Sequence, residues 1–245
     1  MGRDKSFPDI LKNKFSESQL KQDGTYLFEV LENTERLQEN IQNRSLVLLI
    51  SGPSGSGKDS IIDLLPENFA RAKTCTSRPI RKAEVKNDPY IRLSVEEFKK
   101  GIEDGSFLET NIYDDNYYGS KISEIKKVLS LGKTPILRLD ASGAKNVLEI
   151  LKKNLKSLKD IGIIYFFIVP PSKKILKERI VRRDVKTTKG ILKKMELWTK
   201  ANKRFKGTVE KDLNLIKHAH FILINHNGKL EEATDTLVKK FESFS

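Results

Sequence analysis

The apolar positions of this chain fall into short unbroken runs. Longer stretches separate them, in which apolar residues recur every third or fourth position. LVLLIS from Leu46, TPILRLD from Thr134, IIYFFIVP from Ile163 and HFILIN from His220 are strand-length and lack polar alternation, as parallel strands buried on both faces do. ISEIKKVLSL, GAKNVLEILKKNL, KKILKERIVRR and KLEEATDTLVKKFESF lie between or after them with helical spacing. Strands alternating with helices predict an α/β fold: a parallel central sheet with a helical layer on each face. Ser94 followed by Glu97 is a capping box that opens a helix toward Lys100. The segment after that helix, ETNIYDDNYYGS (109–120), reads as irregular. Nearer the start, Leu27, Val30, Leu31, Leu37 and Ile41 follow Thr25 at roughly helical intervals. They predict an amphipathic helix packed on the main domain or on a second copy of the chain. The chain divides into a helical N-terminal extension, residues 1–45, and a main domain, residues 46–245.

Composition narrows the class. With 38% hydrophobic and 32% charged residues over 245 positions, the chain suits a globular protein with a sizeable core. The longest apolar stretch, IGIIYFFIVPP, falls short of the roughly 18 residues that span a bilayer. The N-terminus has no charged-then-apolar leader pattern and carries acids, so a cytoplasmic location is expected. The single cysteine, Cys75, rules out an internal disulfide and fits a reducing compartment as a small buried residue. The net charge of +13 is not spread evenly, because residues 1–45 carry seven basic and eight acidic side chains. The excess lies in the main domain, much of it between Lys173 and Lys206. A basic excess suits nucleic acid, an anionic membrane or small phosphorylated ligands. No nucleic-acid recognition motif accompanies it, which disfavours that partner.

The candidate chemistry follows the first strand. Gly52-Pro53-Ser54-Gly55-Ser56-Gly57-Lys58-Asp59-Ser60 fits a phosphate-binding loop, and the helical DSIIDLL comes next, bounded by Pro66. Glycines let successive backbone N–H groups converge on an anion, and the helix adds its positive end. Lys58 brings a mobile charge for the outer phosphates of a bound nucleotide. One position breaks the pattern: Asp59 stands where a Ser or Thr hydroxyl would sit on a nucleotide-bound Mg²⁺. The spacing of Gly52, Gly55 and Gly57 does not fit a dinucleotide fingerprint.

Further stretches, in order, resemble the guanylate kinase family: TSRPIRKAE (76–84), DPYIRLSVEEF, SFLET, NYYGS, RLDASGAKNV, VPPS and LKERIVRRD. The resemblance runs from about Leu46 to Phe241. It implies a P-loop NTPase three-layer fold with a small acceptor-binding insertion, about 77–125, and a helical lid, about 172–200. It also implies ATP as phosphoryl donor, Mg²⁺ as cofactor and GMP as acceptor. On this resemblance Arg78 and Arg81 grip the acceptor phosphate as planar donors, with Tyr90 and Tyr118 adding hydroxyls. Glu84 belongs to the same segment. Glu109 accepts the two donors that guanine presents and adenine lacks, and Thr74, Ser120 and Asp140 make further base contacts. Arg179 and Arg183, one helical turn apart, close over the transferring group. Lys194 stands where the family has a third arginine.

Two positions depart from the family pattern: Asp59 in the loop and Arg138 in RLD, where the family has an acid that helps hold the metal shell. The changes are complementary in charge. Either Asp59 takes over as a metal ligand, or it pairs with Arg138. The loop GPSGSGKDS also resembles that of ribose 1,5-bisphosphate phosphokinase, a related kinase with Asp after the lysine. That family lacks a guanine-reading acid at the place of Glu109. A third reading is a guanylate-kinase-like scaffold domain without catalysis, although the intact Lys58 and glycines weigh against it. The sequence leaves a homo-oligomer open.

Overall fold

The computed structural model describes residues 17–22, 25–80, 90–113, 115–152, 158–186 and 210–245, together with Leu11 and Thr199. Its main sheet has seven strands in the order β1-β2-β11-β10-β3-β9-β4. Five of these are mutually parallel: β4 (Phe69–Arg71), β9 (Thr134–Arg138), β3 (Ser45–Ser51), β10 (Ile161–Val169) and β11 (Phe221–Ile224). The unbroken apolar runs are these inner strands. All nine residues of β10 are buried. Alternate residues of a strand feed opposite faces, so Val47, Leu49, Tyr165 and Phe167 join one core while Leu48, Ile50, Phe166 and Ile168 join the other. Burying each such side chain contributes about 1.5–3 kcal/mol. Two cores on one sheet make the expected three-layer α/β fold.

The sheet continues beyond the parallel strands, and here the N-terminal reading needs correcting. Thr25–Val30 is a strand, β2, and only Leu31–Ile41 (α1) is helical. β2 pairs antiparallel with β11, placing Leu27 opposite Leu223 and Phe28 opposite Ile222. β1 (Glu17–Gln22) pairs antiparallel on its outer side. Leu27 and Phe28 are adjacent yet both fully buried, one in each core. A helix with one apolar stripe could not bury both this way. Pairing with the open edge of β11 therefore overrides the loose helical spacing of this segment. His220 stitches the junction. Its N–H donates to the Tyr165 carbonyl, its Nδ1 accepts from the Tyr165 N–H at 3.0 Å, and its carbonyl accepts from the Val30 N–H.

Helices cover the faces: α2 (Lys58–Asp63), α3 (Val95–Glu103), α4 (Ile122–Ser130), α5 (Ala141–Lys152), α6 (Lys173–Lys186), α7 (Glu210–Leu215) and α8 (Leu230–Glu242). The capping box is present: Ser94 Oγ accepts from the Glu97 N–H at 3.1 Å, and Glu97 Oε2 accepts from the Ser94 N–H at 2.7 Å.

The segment 109–120 is not irregular. It forms most of a hairpin, β7 (Phe107–Tyr113) and β8 (Asn116–Lys121), in which Asp115 adopts φ 57°. The adjacent aspartates are a turn signal, since short polar side chains tolerate that left-handed conformation. Together with β5 (Thr74–Thr76) and β6 (Tyr90–Arg92) the hairpin builds a second sheet of four strands in the order β6-β5-β8-β7. No helix among the described residues is long and apolar enough to cross a membrane.

Candidate active site

The phosphate loop leaves the carboxyl end of central β3, between β9 and β10, where open α/β sheets place their ligands. Gly52 has φ 143° and Gly57 φ 94°. A methyl group at Gly52 would collide with the Ile168 carbonyl, and one at Gly57 with Asn225 Nδ2. Both positions therefore need glycine for conformation and for space. Lys58 is buried and folded over its own loop, its Nζ donating to the carbonyls of Gly52 at 2.6 Å and Pro53 at 2.9 Å. Ser56 Oγ is buried and finds no hydrogen-bond partner among the described residues. An orphaned buried hydroxyl in a glycine-rich anion cradle fits a bound phosphate oxygen.

Asp59 and Arg138 meet. Arg138 Nε donates to Asp59 Oδ1 at 3.1 Å, and a terminal nitrogen donates to Oδ2 at 3.0 Å. Register explains the meeting: Arg138 lies opposite Ile50 at the end of the strand beside the loop. Arg71 approaches Asp59 Oδ1 at 3.7 Å and binds Asp63 at 2.8 Å. Burial works against the charged form of Asp59. The charge and hydrogen bonds of Arg138, with Arg71 and Lys58 behind it, outweigh that and hold the carboxyl below its usual range. The contact with Arg138, one of the two alternatives at this position, is formed.

Helix α6, the expected lid, starts against the loop. Leu176 and Ile180 flank Gly55. Arg179 donates to Asn227 Oδ1 at 2.7 and 3.1 Å, to the Asn225 carbonyl at 3.0 Å and, at 3.4 Å, to the Ser56 carbonyl. Asn225 Nδ2 also donates to the Ser56 carbonyl at 3.0 Å. Asn225 and Asn227 had not been singled out in the sequence. The signal was present, because Asn225 follows directly on a buried parallel strand, at its carboxyl end. Arg183 lies in α6 one turn beyond Arg179.

The second sheet carries Thr74, Tyr90, Glu109, Tyr118 and Ser120, and Asp140 reaches it from the end of β9. Glu109, buried to 6% exposure, accepts from Ser120 Oγ at 2.9 Å. Burial, and to a lesser degree the charge of Asp140, outweigh that bond and push the Glu109 carboxyl up to about 7. Asp140 is held on two sides: Oδ1 accepts from the Gly143 N–H at 2.6 Å and Oδ2 from Asn111 Nδ2 at 3.0 Å. Asn111 was also not anticipated, although it stands two residues from Glu109 and so faces the same side of β7. Thr74 pairs with Ser120 in register. Two convergent carboxyls with a hydroxyl and an amide form a polar pocket suited to a ligand that presents hydrogen-bond donors.

A second cluster lies on the same sheet. Tyr90 and Tyr118 meet edge-on with ring centroids 6.3 Å apart. The guanidinium groups of Arg78 and Arg92 lie 5.5 and 5.1 Å from the Tyr90 ring centre. Arg92, not anticipated, also donates to the Arg78 carbonyl at 2.6 Å. Arginines beside phenol hydroxyls suit a phosphate dianion. Arg81, Glu84 and Lys194 lie outside the described residues.

A family model described as guanylate kinase matches residues 42–243. A guanylate kinase of Mycoplasmopsis pulmonis is 35% identical over 207 residues, covering 82% of this chain and 97% of that one. A guanylate kinase of Sulfurimonas denitrificans is 34% identical over 195 residues, covering 78% and 84%. The crystal structure of guanylate kinase from Anaplasma phagocytophilum superposes with a TM-score of 0.56 at 20% identity, over 83% of this chain and 87% of that chain. At that identity the likeness speaks for the fold.

Proposed function

The chain belongs to the guanylate kinase family, and on that premise we propose that it transfers the γ-phosphoryl group of ATP to GMP, giving ADP and GDP. The observation that carries the choice of acceptor is the buried Glu109, set beside Ser120 and Asp140. Guanine presents an N1–H and an exocyclic amine to an ionised Glu109, which accepts both. Adenine has an acceptor at N1 and would leave the carboxylate unpaired in a dry site, a costly mismatch.

The reaction needs positioning and charge neutralisation and no covalent intermediate. The loop amides and Ser56 hold the donor phosphates. Lys58 exchanges two loop carbonyls for the outer phosphate oxygens. Arg78, Tyr90 and Tyr118 hold the acceptor phosphate, with Arg81 and Glu84 in the same segment by resemblance. Arg179 already sits on the loop at the Ser56 carbonyl; by resemblance Arg183, one turn further along α6, joins it in spreading the developing charge. Mg²⁺ supplies charge neutralisation between the donor's phosphates when bound. No group of three or more acids, histidines or cysteines among the described residues forms a ready metal cage. Asp59 would be the loop carboxylate to help hold the cation.

A titration of GMP and AMP into the wild type and Glu109→Ala tests the assignment. The wild type binds GMP in preference, and Glu109→Ala loses on the order of 100-fold for GMP while AMP is unaffected. Equal loss for both nucleotides contradicts it. One observation favours a second reading. The Asp59–Arg138 pair reproduces in space the loop departure shared with ribose 1,5-bisphosphate phosphokinase, whose acceptor would not need Glu109.

A further inference from the structure

A cavity of about 90 Å³ lies far from the phosphate loop, between α1, α5 and the amino end of β10. Arg36 and Arg44 line it from α1 and the turn after it, Lys145 and Lys152 from α5, and His218 and His220 from the approach to β11. Four permanent cations among the described residues thus line it, alongside the carboxylate of Glu149. Glu149 is itself engaged by Lys145 at 3.3 Å. The cavity is not merely a charged surface, because its floor is aliphatic, formed by Leu148, Ile161 and Ile163. His220 adds a directed donor. Its Nδ1 is taken by the Tyr165 N–H, so its neutral ring carries the proton on Nε2. The surrounding charge is also felt at His218: burial, then Lys217 and Lys145, hold its imidazole below the ordinary range despite Glu149.

Cations over an apolar floor recognise an anion with a compact organic body. α1, which supplies Arg36, lies before residue 42, where the match to the family model begins. One wall of the cavity therefore lies outside the stretch that the family model matches. We propose that the cavity is a second ligand site, separate from the catalytic one, that binds a small phosphorylated organic anion between Arg36, Arg44, Lys145 and the His220 Nε2–H. Occupancy fastens α1 to α5, the helix whose first turn Asp140 caps by accepting from the Gly143 N–H.

The chain has three histidines, and they report on the two sites separately. His218 and His220 line the cavity, whereas His226 feels the charge of Arg179 beside the phosphate loop. The full chain, ¹⁵N-labelled and saturated with GMP and a non-hydrolysable ATP analogue, is titrated with ribose 5-phosphate or with orthophosphate while the imidazole nitrogens are followed by NMR. Saturable shifts at His218 and His220 with His226 unmoved are expected. The half-saturation point should rise about tenfold or more in Arg44→Gln/Lys145→Gln. Saturation at lower concentration by ribose 5-phosphate identifies a sugar phosphate, and equal or tighter saturation by orthophosphate identifies the phosphate group alone; both support the site. The double variant should keep wild-type turnover with ATP and GMP, which shows that it is folded. Absence of saturable movement at His218 and His220, or an unchanged half-saturation point in the folded double variant, overturns the proposal.

Discussion

The surroundings of two acids, Glu109 and Asp59, treat them oppositely. Glu109 is buried and its carboxyl is pushed up to about 7, so near neutral pH the free protein holds a proton there about half the time. Guanine requires the ionised form, so GMP affinity falls as pH drops through 7. Between pH 8 and 6 the Glu109 contribution to the GMP KM should rise about tenfold, and Glu109→Gln should lose that part of the dependence. A Glu109→Gln profile identical to wild type contradicts the role. Asp59, by contrast, is kept ionised by Arg138. The pair is too exposed, at 55% and 42% of side-chain surface, to contribute more than about 1 kcal/mol to stability. Its value therefore lies in placing charge at the loop. Asp59→Ser and Arg138→Asp should each lower turnover by more than their stability cost explains and shift its Mg²⁺ dependence. The double variant, which restores the family arrangement, should recover much of the loss. Wild-type turnover and Mg²⁺ dependence in both singles and the double contradict this.

At the scale of elements, the loop and the capping box make separable predictions. Gly57→Ala forces a side chain into φ 94° and against Asn225. It should cost about 1–3 kcal/mol in denaturant unfolding and abolish turnover, because the loop cannot hold its curvature. Ser94→Ala removes one half of the α3 capping box, about 1 kcal/mol, and should leave kcat unchanged. Equal effects of the two on turnover would show that the loop geometry has no special role. The elements also show what could be read in advance. β3, β9, β10 and β11 were legible because each is an apolar run too short and too continuous to be anything but an inner strand. α3 was legible from Ser94 and Glu97. The β7–β8 hairpin was missed because its polar and aromatic residues were read as loop composition, although Asp114-Asp115 marks a turn. β2 was misread because Leu27 and Val30 fit a helical interval by chance, and only the partner strand β11 decides between the periods.

For the whole molecule, the candidate site was legible at Lys58 from the loop pattern, and at Arg78, Glu109 and Arg179 only through the ordered resemblance to a family. It was not legible where a residue acts through its neighbours. Asn111, Arg92, Asn225 and Asn227 hold other site groups in place, and such contacts depend on strand register and chain packing. His220 gives a global test of how the N-terminal strands are tied in. Burial lowers its imidazole to about 4. Its folded value lies below the ordinary 6.5, so the unfolded chain binds the proton more readily. The stability it supports is present above 6.5 and lost as pH falls toward 4. The wild type should lose about 3 kcal/mol more than His220→Asn, which keeps an acceptor for the Tyr165 N–H, between pH 7 and 4. Parallel pH curves would contradict the burial argument. The choice of acceptor is tested by ADP release from ATP and Mg²⁺ with GMP, AMP, UMP, dTMP and ribose 1,5-bisphosphate supplied one at a time. Turnover with GMP and background rates with the others are expected of a guanine-reading Glu109. Turnover with the sugar bisphosphate and none with GMP would contradict it.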